Sequence, residues 1–172
     1  MPIYALGEYE PVIDPEAFVH PDAVIIGRVT IGAESTVWPC AVLRGDGGPI
    51  TVGARTSIQD GSVIHVTELQ PTIIGNDCVV GHQVHAEGCT IEDGVLIGSG
   101  SKVLPGAIIR AGALVGANAV VPQGMEVPSR AMALGVPAKL RLDTVDPALI
   151  AEGAAIYVAR GHQYRAQLRR LR

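Results

Sequence analysis

The chain has 172 residues and a net charge of −4, and 48% of its residues are hydrophobic although only 3% are aromatic. This length suits one domain, and the net negative charge gives no case for a nucleic-acid partner, which would require a basic stripe. With so few aromatics, the core is predicted to consist of thin, repeated layers of Val, Ile, Leu and Ala.

The N-terminal stretch and the cysteines indicate the compartment. "MPIYALGEYEP" lacks both a basic start and an apolar run, so it predicts no signal peptide, and no segment is long enough to predict a membrane span. The three cysteines, Cys40, Cys78 and Cys89, are odd in number and have no CxxC spacing. They are therefore expected to be small buried hydrophobes in a reducing cytoplasm.

A repeat of six residues runs through most of the chain. Strands alternate with period two, and a period of six indicates a strand plus a turn, repeated. We predict an all-β solenoid, a parallel β-helix over roughly residues 12 to 136, with three repeats per triangular coil. The inward-facing aliphatic positions are Ile31, Val37, Leu43, Val52, Ile58, Ile64, Ile74, Val80, Ile91, Ile97, Val103, Ile109, Val115 and Val121.

Two insertions and a C-terminal helix interrupt or follow the repeat. The insertions are "RGDGGP" between Leu43 and Val52 and a loop around "VTELQP" between Ile64 and Ile74. Asp146 and Pro147 are typical of a helix N-cap and first turn. An apolar stripe follows at Ile150, Ala154, Tyr157, Gly161, Tyr164, Leu168 and Leu171. We therefore expect a β-helix domain over 1–140, and a linker and α-helix over 141–172 that packs along it as part of the same unit.

Counting repeats places polar side chains in two columns on the outside of the coil. Arg44, His65 and Glu87 form one column, and Asp60 and His82 form a second, with Gln59 beside it. The two columns lie on different walls, so they converge only when a second copy packs against the first. Polar columns facing each other across an interface are costly unless they pair or bind something. This placement predicts a site between subunits and a homotrimer.

A family resemblance agrees with this placement. The chain resembles the γ-class carbonic anhydrases and their relatives in five motifs: "AVLRGD" (41–46), "SIQDGSVIH" (57–65), "VGH" (80–82), "GCTI" (88–91) and "GVPAK" (135–139). The resemblance implies a left-handed β-helix and a trimer with three interfacial zinc sites. It also implies the activity, reversible hydration of CO2 to bicarbonate by a metal-bound hydroxide.

The resemblance also implies roles for individual residues. His65 matches a metal ligand, and His82 matches the ligand that arrives from the neighbouring subunit. The other matches are Arg44 and Asp46, an ion pair that supports the trimer; Gln59 and Asp60, polar residues lining the site; and Tyr157, an aromatic that the helix brings near the metal.

The chain departs from the family at the third ligand. The family has a histidine five residues after the one matched by His82, and here that position is Glu87. Three interpretations stay open. In the first, Glu87 coordinates Zn²⁺ or Fe²⁺, since both metals accept two histidines and a carboxylate. In the second, the turn is reshaped and His85 replaces Glu87 as the ligand. In the third, the site is vestigial and binds no metal. A carboxylate ligand would make the site more negative and CO2 hydration weaker.

Two rival functions remain. A coenzyme A-dependent acyltransferase uses the same fold, but such enzymes usually carry a long loop over the groove between subunits, and the insertions here are short. A catalytically silent trimeric scaffold or binding protein would explain the missing histidine. The fold alone does not choose among these functions.

Overall fold

The computed structural model describes residues 2–172, which form a left-handed parallel β-solenoid of about 7 turns followed by a single helix. Twenty strands and one helix lie within this range. In chain order they are β1 (Ile3–Tyr4), β2 (Val12–Ile13), β3 (Phe18–Val19), β4 (Val24–Ile31), β5 (Thr36–Val37), β6 (Val42–Val52), β7 (Ser57–Ile58), β8 (Val63–His65), β9 (Thr72–Ile74), β10 (Val79–Val80), β11 (His85–Glu87), β12 (Thr90–Ile91), β13 (Leu96–Ile97), β14 (Lys102–Val103), β15 (Ile108–Ile109), β16 (Leu114–Val115), β17 (Val120–Val121), β18 (Glu126–Val127), β19 (Met132–Leu134), β20 (Lys139–Arg141) and α1 (Pro147–Gln167).

The strands stack into three walls. The first wall contains the start of β4 and β6 with β8, β11, β14 and β17, and the second contains the ends of β4 and β6 with β9, β12, β15 and β18. The third wall runs from β3 through β5, β7, β10, β13 and β16 to β19, where β20 adds an antiparallel edge. Each strand pairs with the strand one coil above and below, so residues of successive coils lie in straight columns.

The core is the stack of aliphatics that the six-residue repeat predicts. All fourteen predicted inward positions are no more than 1% exposed. Small residues such as Ala107, Ala113 and Ala119 complete the layers. The coils approach so closely that a Cβ on Gly98 would lie 2.5 Å from the backbone nitrogen of Ala117. The predicted fold class is therefore confirmed.

The ends and insertions of the coil differ in part from the prediction. Pairing begins earlier than residue 12, because Ile3 already pairs with Ile25. The "RGDGGP" insertion lies inside the continuous strand β6 and pairs with β4 through a register shift between Gly27 and Val29. The second insertion is a surface loop, on which Leu69 is 92% exposed.

Helix α1 packs on the third wall and covers its first coils. The Asp146 side chain accepts a hydrogen bond from the Ala148 N–H at 3.0 Å, so the predicted N-cap is confirmed. Ile150, Ala154 and Gly161 are buried against β3, β5, β7 and β10. The helix ends at Gln167, so the predicted stripe is too long: Leu168 and Leu171 follow the helix and are exposed.

An aromatic cluster fills the space between α1 and the third wall. The one Trp of the chain, Trp38, contacts Tyr157 and Tyr164 of the helix at centroid distances of 6.0 and 5.0 Å. The one Phe, Phe18, contacts Trp38 at 5.7 Å and Tyr164 at 5.9 Å. The Trp38 indole donates to Thr36 Oγ1 and Ser57 Oγ. The few aromatics thus fasten the helix and leave the coil interior to aliphatics.

Two remaining expectations concern the cysteines and the membrane. Cys78 and Cys89 are buried, but Cys40 is exposed, because it lies on a turn with φ of 60°. The expectation that all three are buried was wrong for Cys40. Between residues 2 and 172, no helix has the length and apolarity that crossing a bilayer requires.

Candidate functional site

The first polar column stands on the first wall as predicted. Arg44 on β6 pairs with His65 on β8, and His65 pairs with Glu87 on β11. The inward neighbours Leu43, Ile64 and Ala86 are fully buried. Because side chains alternate along a strand, the three polar residues project outward from successive coils.

Within this column, His65 lies between two carboxylates. Its Nδ1 is 2.8 Å from Glu87 Oε1 and its Nε2 is 2.9 Å from Asp46 Oδ1. Asp46 also accepts hydrogen bonds from Arg44 and from the Gly47 N–H. A neutral imidazole has one N–H, so both contacts are hydrogen bonds only when the ring carries a second proton. His65 is thus held at both ring nitrogens by carboxylates of the neighbouring coils.

The carboxylates respond to this environment. The hydrogen bond with His65 lowers the pKa of Glu87, and this effect outweighs partial burial and is reinforced by His85. For Asp46, burial acts to raise the pKa, but hydrogen bonds from His65 and Arg44 more than offset it and the pKa is lowered. Both groups are ionised at neutral pH.

His85 lies closer to this column than its spacing from His82 suggests. It lies on β11 two residues before Glu87, so it projects to the same side, and its Nε2 is 3.4 Å from Glu87 Oε2. The interpretation that His85 replaces Glu87 as a ligand stays a prediction, and the structure places His85 in the same strand as Glu87. The alternation of His85 and Glu87 around the inward Ala86 was the signal that could have revealed this. We call Asp46, His65, His85 and Glu87 the His65 cluster.

The second column lies beyond the end of the strands of the third wall. In this wall, Ile58 of β7 pairs with Val80 of β10, and this register brings Asp60 beside His82. Asp60 Oδ2 is 2.9 Å from His82 Nδ1, and both side chains are about half exposed. Gln59, beside them, is only 3% exposed.

Helix α1 completes this second group. A cavity of about 320 Å³ is lined by Gln59, His82 and Tyr157, with Gly153 and Leu96 among its other walls. Tyr157 reaches it because its ring packs on Trp38. The structure thus brings together Gln59, Asp60, His82 and Tyr157, which we call the His82 cluster.

The two clusters remain separate within one chain. No three His, Cys, Asp or Glu side chains among residues 2–172 are placed to hold a metal ion together. One supporting contact was not predicted from the sequence: Thr72 Oγ1 donates to the His65 carbonyl and accepts from the Gly88 N–H. Thr72 thereby fixes the backbone beneath both His65 and Glu87.

The repeat matches a known family model. Residues 10–45 and 88–123 match the family described as bacterial transferase hexapeptide (six repeats). These ranges lie in the early and the middle coils of the solenoid.

Similar proteins share most of the chain. It is 39% identical over 86% of its length to "Gamma carbonic anhydrase 1, mitochondrial" of Arabidopsis thaliana, of which it covers 56%. It is 48% identical over 79% of its length to a Methanocaldococcus jannaschii protein named "Probable carbonic anhydrase", of which it covers 87%. The chain thus spans about half the length of the Arabidopsis relatives.

A solved structure extends the likeness to three dimensions. The crystal structure of a hexapeptide transferase family protein from Anaplasma phagocytophilum superposes with a TM-score of 0.91 and 31% identity. The match covers 95% of this chain and 98% of that one. These relatives and the stacked polar columns show that the chain belongs to the γ-carbonic anhydrase-like family of left-handed β-helix, hexapeptide-repeat proteins.

Proposed function

We propose that the protein is a metal-dependent carbonic anhydrase that hydrates CO2 reversibly between the subunits of a homotrimer. The observation that carries this proposal is the pair of clusters on different faces of one chain, each built around an imidazole whose Nδ1 contacts a carboxylate. Packing the His65 cluster of one copy against the His82 cluster of the next would complete three equivalent sites. The names of the Arabidopsis and Methanocaldococcus relatives support the same reaction.

The donor set fits a divalent metal. His65, with Glu87 or His85, would come from one subunit and His82 from its neighbour. Imidazole and carboxylate donors suit Zn²⁺, and two histidines with a carboxylate also suit Fe²⁺. Asp60 beside His82 Nδ1 matches the carboxylate partner that orients metal-binding histidines. When bound, the metal supplies Lewis acidity toward water.

The remaining side chains of the His82 cluster have roles that follow from their positions. Gln59 lines the cavity from a buried position and can direct water or CO2 by donating or accepting hydrogen bonds. Asp60 fixes the His82 ring and is exposed enough to pass a proton toward solvent. Tyr157 closes the same cavity and can donate to a bicarbonate oxygen.

The trimer contact is assigned to Arg44 and Asp46. They are hydrogen-bonded at the outer surface of the first wall, next to His65. An ion pair that faces a neighbouring subunit fixes register and orientation between the copies. In this proposal the contact and the site are therefore built from adjacent residues.

Coenzyme A-dependent acyl transfer is a second candidate, favoured by the name of the matching family model and by the Anaplasma structure. Against it, the largest surface insertion is the short loop between β8 and β9, which offers no long arm over a groove. A trimeric scaffold without activity is the third candidate. It would keep the trimer and bind no metal.

The deciding experiment is the metal content of untagged protein purified without chelator. We expect about one zinc or iron per chain, because a preformed site retains its metal through purification. Stopped-flow measurement of CO2 hydration on the same preparation should then show metal-dependent activity. Trimers that remain metal-free after zinc is offered would overturn the proposal in favour of the scaffold. Thermal stabilisation by coenzyme A would favour the acyltransferase.

A further inference from the structure

We propose that Glu87 is a positioning residue and that His85 supplies the third donor, so that the metal is held by three imidazoles. The set would be His65 and His85 of one subunit with His82 of a neighbouring copy. This inference rests on the proposed function, and it identifies the ligands of that same site.

The first argument is a parallel between the two clusters. In each cluster a carboxylate oxygen contacts Nδ1 of a histidine. Glu87 contacts His65 at 2.8 Å, and Asp60 contacts His82 at 2.9 Å. A metal-binding histidine usually donates its second N–H to a carboxylate, which fixes its tautomer and orientation. In both clusters this leaves Nε2 as the nitrogen that can bind the metal.

The second argument concerns which contacts coordination would break. Both oxygens of Glu87 face imidazoles, since Oε1 contacts His65 and Oε2 contacts His85. Coordination through either oxygen would weaken one of these contacts. Coordination through His65 Nε2 gives up only the contact with Asp46, which keeps its hydrogen bonds from Arg44 and Gly47. The structure therefore suits Glu87 better as a support than as a ligand.

The third argument is the position of His85. Its backbone is about 7 Å from that of Glu87, because a strand rises about 3.3 Å per residue, and both side chains leave the same face. The His85 ring is turned along the strand toward Glu87 and stays more than a third exposed. Because its Nε2 contacts Glu87, His85 has Nδ1 left free, and this nitrogen could bind the metal if the side chain turns toward His65. Three neutral imidazoles and an open position form the zinc set of a hydrating enzyme.

The test compares zinc binding in variants of the trimer formed by the 172-residue chain. Zinc affinity is measured by competition with a chromogenic chelator, and X-ray absorption at the zinc edge counts the imidazoles. We expect three imidazoles in the wild type and two in His85→Ala, with affinity lower by more than ~100-fold, since loss of a ligand should exceed the ~10- to 100-fold cost of losing an outer partner.

Glu87 is tested by a conservative and a severe substitution. Glu87→Gln keeps an oxygen that accepts from His65 Nδ1, so it should retain three imidazoles and lose affinity by no more than ~10-fold. Glu87→Ala removes the acceptor and should lose ~10- to 100-fold. His162→Ala and Glu152→Gln, at exposed positions of the helix, are matched controls and should bind zinc as the wild type does.

Each alternative outcome points to a different failure. If Glu87→Gln loses as much affinity as Glu87→Ala while His85→Ala binds normally with two imidazoles, Glu87 is the ligand and this inference is wrong, although the proposed function stands. If the wild-type trimer binds no zinc, the proposed function fails as well. Trimer mass and thermal melts of each variant separate loss of metal from loss of fold.

Discussion

At the residue scale, the thiols of Cys78 and Cys89 lie in an environment that suppresses their reactivity. Burial raises the pKa of Cys78 to about 11 and that of Cys89 to about 12. Cys78 Sγ also donates to the carbonyl oxygens of Asn76 and Glu92 at 3.3 and 3.1 Å. Because the thiolate is the reactive species, both residues serve as packing groups in the folded chain.

Labelling with a thiol reagent should separate the three cysteines. At pH 8 the native protein should react rapidly at one position, Cys40, which is exposed. All three should react after unfolding in guanidinium, because unfolding exposes Cys78 and Cys89 and removes the burial that raises the pKa of their thiols. Raising the pH toward 10 should leave Cys78 and Cys89 mostly protonated while the fold persists. Mass spectrometry of labelled peptides measures this, and rapid native labelling of Cys89 would contradict the burial described here.

Individual residues also show what the sequence could predict about the site. The outward column of Arg44, His65 and Glu87 followed from counting repeats, since side-chain direction is set by the alternation of the strand. The contact of Asp46 with His65 did not follow, because it crosses between coils inside an irregular insertion. Such contacts depend on side-chain rotamers and local register, and these are not encoded in the six-residue period.

At the element scale, α1 rests on the third wall through two glycines that differ in the space around them. A Cβ on Gly161 would lie 2.6 Å from Cγ2 of the buried Thr36. A Cβ on Gly153 would meet only Cγ2 of Val79, at 3.8 Å, which is an ordinary contact. Close approach of the helix is thus required at one glycine and not at the other.

Alanine at these two positions should have opposite effects on stability. Gly153→Ala should raise the free energy of unfolding by about 0.5–1 kcal/mol, because alanine favours the helix. Gly161→Ala gains the same propensity but suffers a clash of about 1–3 kcal/mol, so we expect a net loss of about 1 kcal/mol. Urea unfolding followed by circular dichroism compares the two. Equal stabilisation by both would show that the helix can move off the wall freely.

The sequence predicts the start of helix α1 correctly but overestimates where the helix ends. Asp146 and Pro147 mark the start chemically, since one caps the first turn and the other fixes its backbone. The C-terminal end lacks such a signal: Leu168 simply adopts an extended backbone with ψ of 125°. An apolar stripe that continues past the last hydrogen-bonded turn therefore overestimates the length of the helix.

At the scale of the whole molecule, the proposed site depends on assembly, because the two clusters do not meet within one chain. The Arg44–Asp46 pair lies beside His65 on the face that would contact a neighbour. Removing Arg44 would leave the Asp46 carboxylate in this contact without its arginine partner. Oligomeric state and metal content should therefore change together.

We expect Arg44→Ala to weaken the trimer and to lower its metal content in parallel. The dissociation concentration should rise by at least ~10-fold, which corresponds to about 1.4 kcal/mol. Analytical ultracentrifugation with metal analysis of the trimer and monomer fractions measures both quantities. Arg169→Ala, an exposed arginine that follows α1, is the control and should change neither. A monomeric Arg44→Ala that keeps a full complement of metal would refute a site shared between subunits.

Because α1 packs on the first coils of the solenoid, these coils are synthesised well before the helix that covers them. Arg165 donates to the Ala17 carbonyl across 148 residues of sequence. At about 5–20 residues per second, the ribosome needs about 7–30 s to add the segment between them. For most of that interval Phe18 and Trp38 have been synthesised and the helix that covers them has not. The nascent chain therefore exposes Phe18 and Trp38 on the third wall for seconds. A chaperone that binds aromatic side chains would have access to this wall before α1 packs on it.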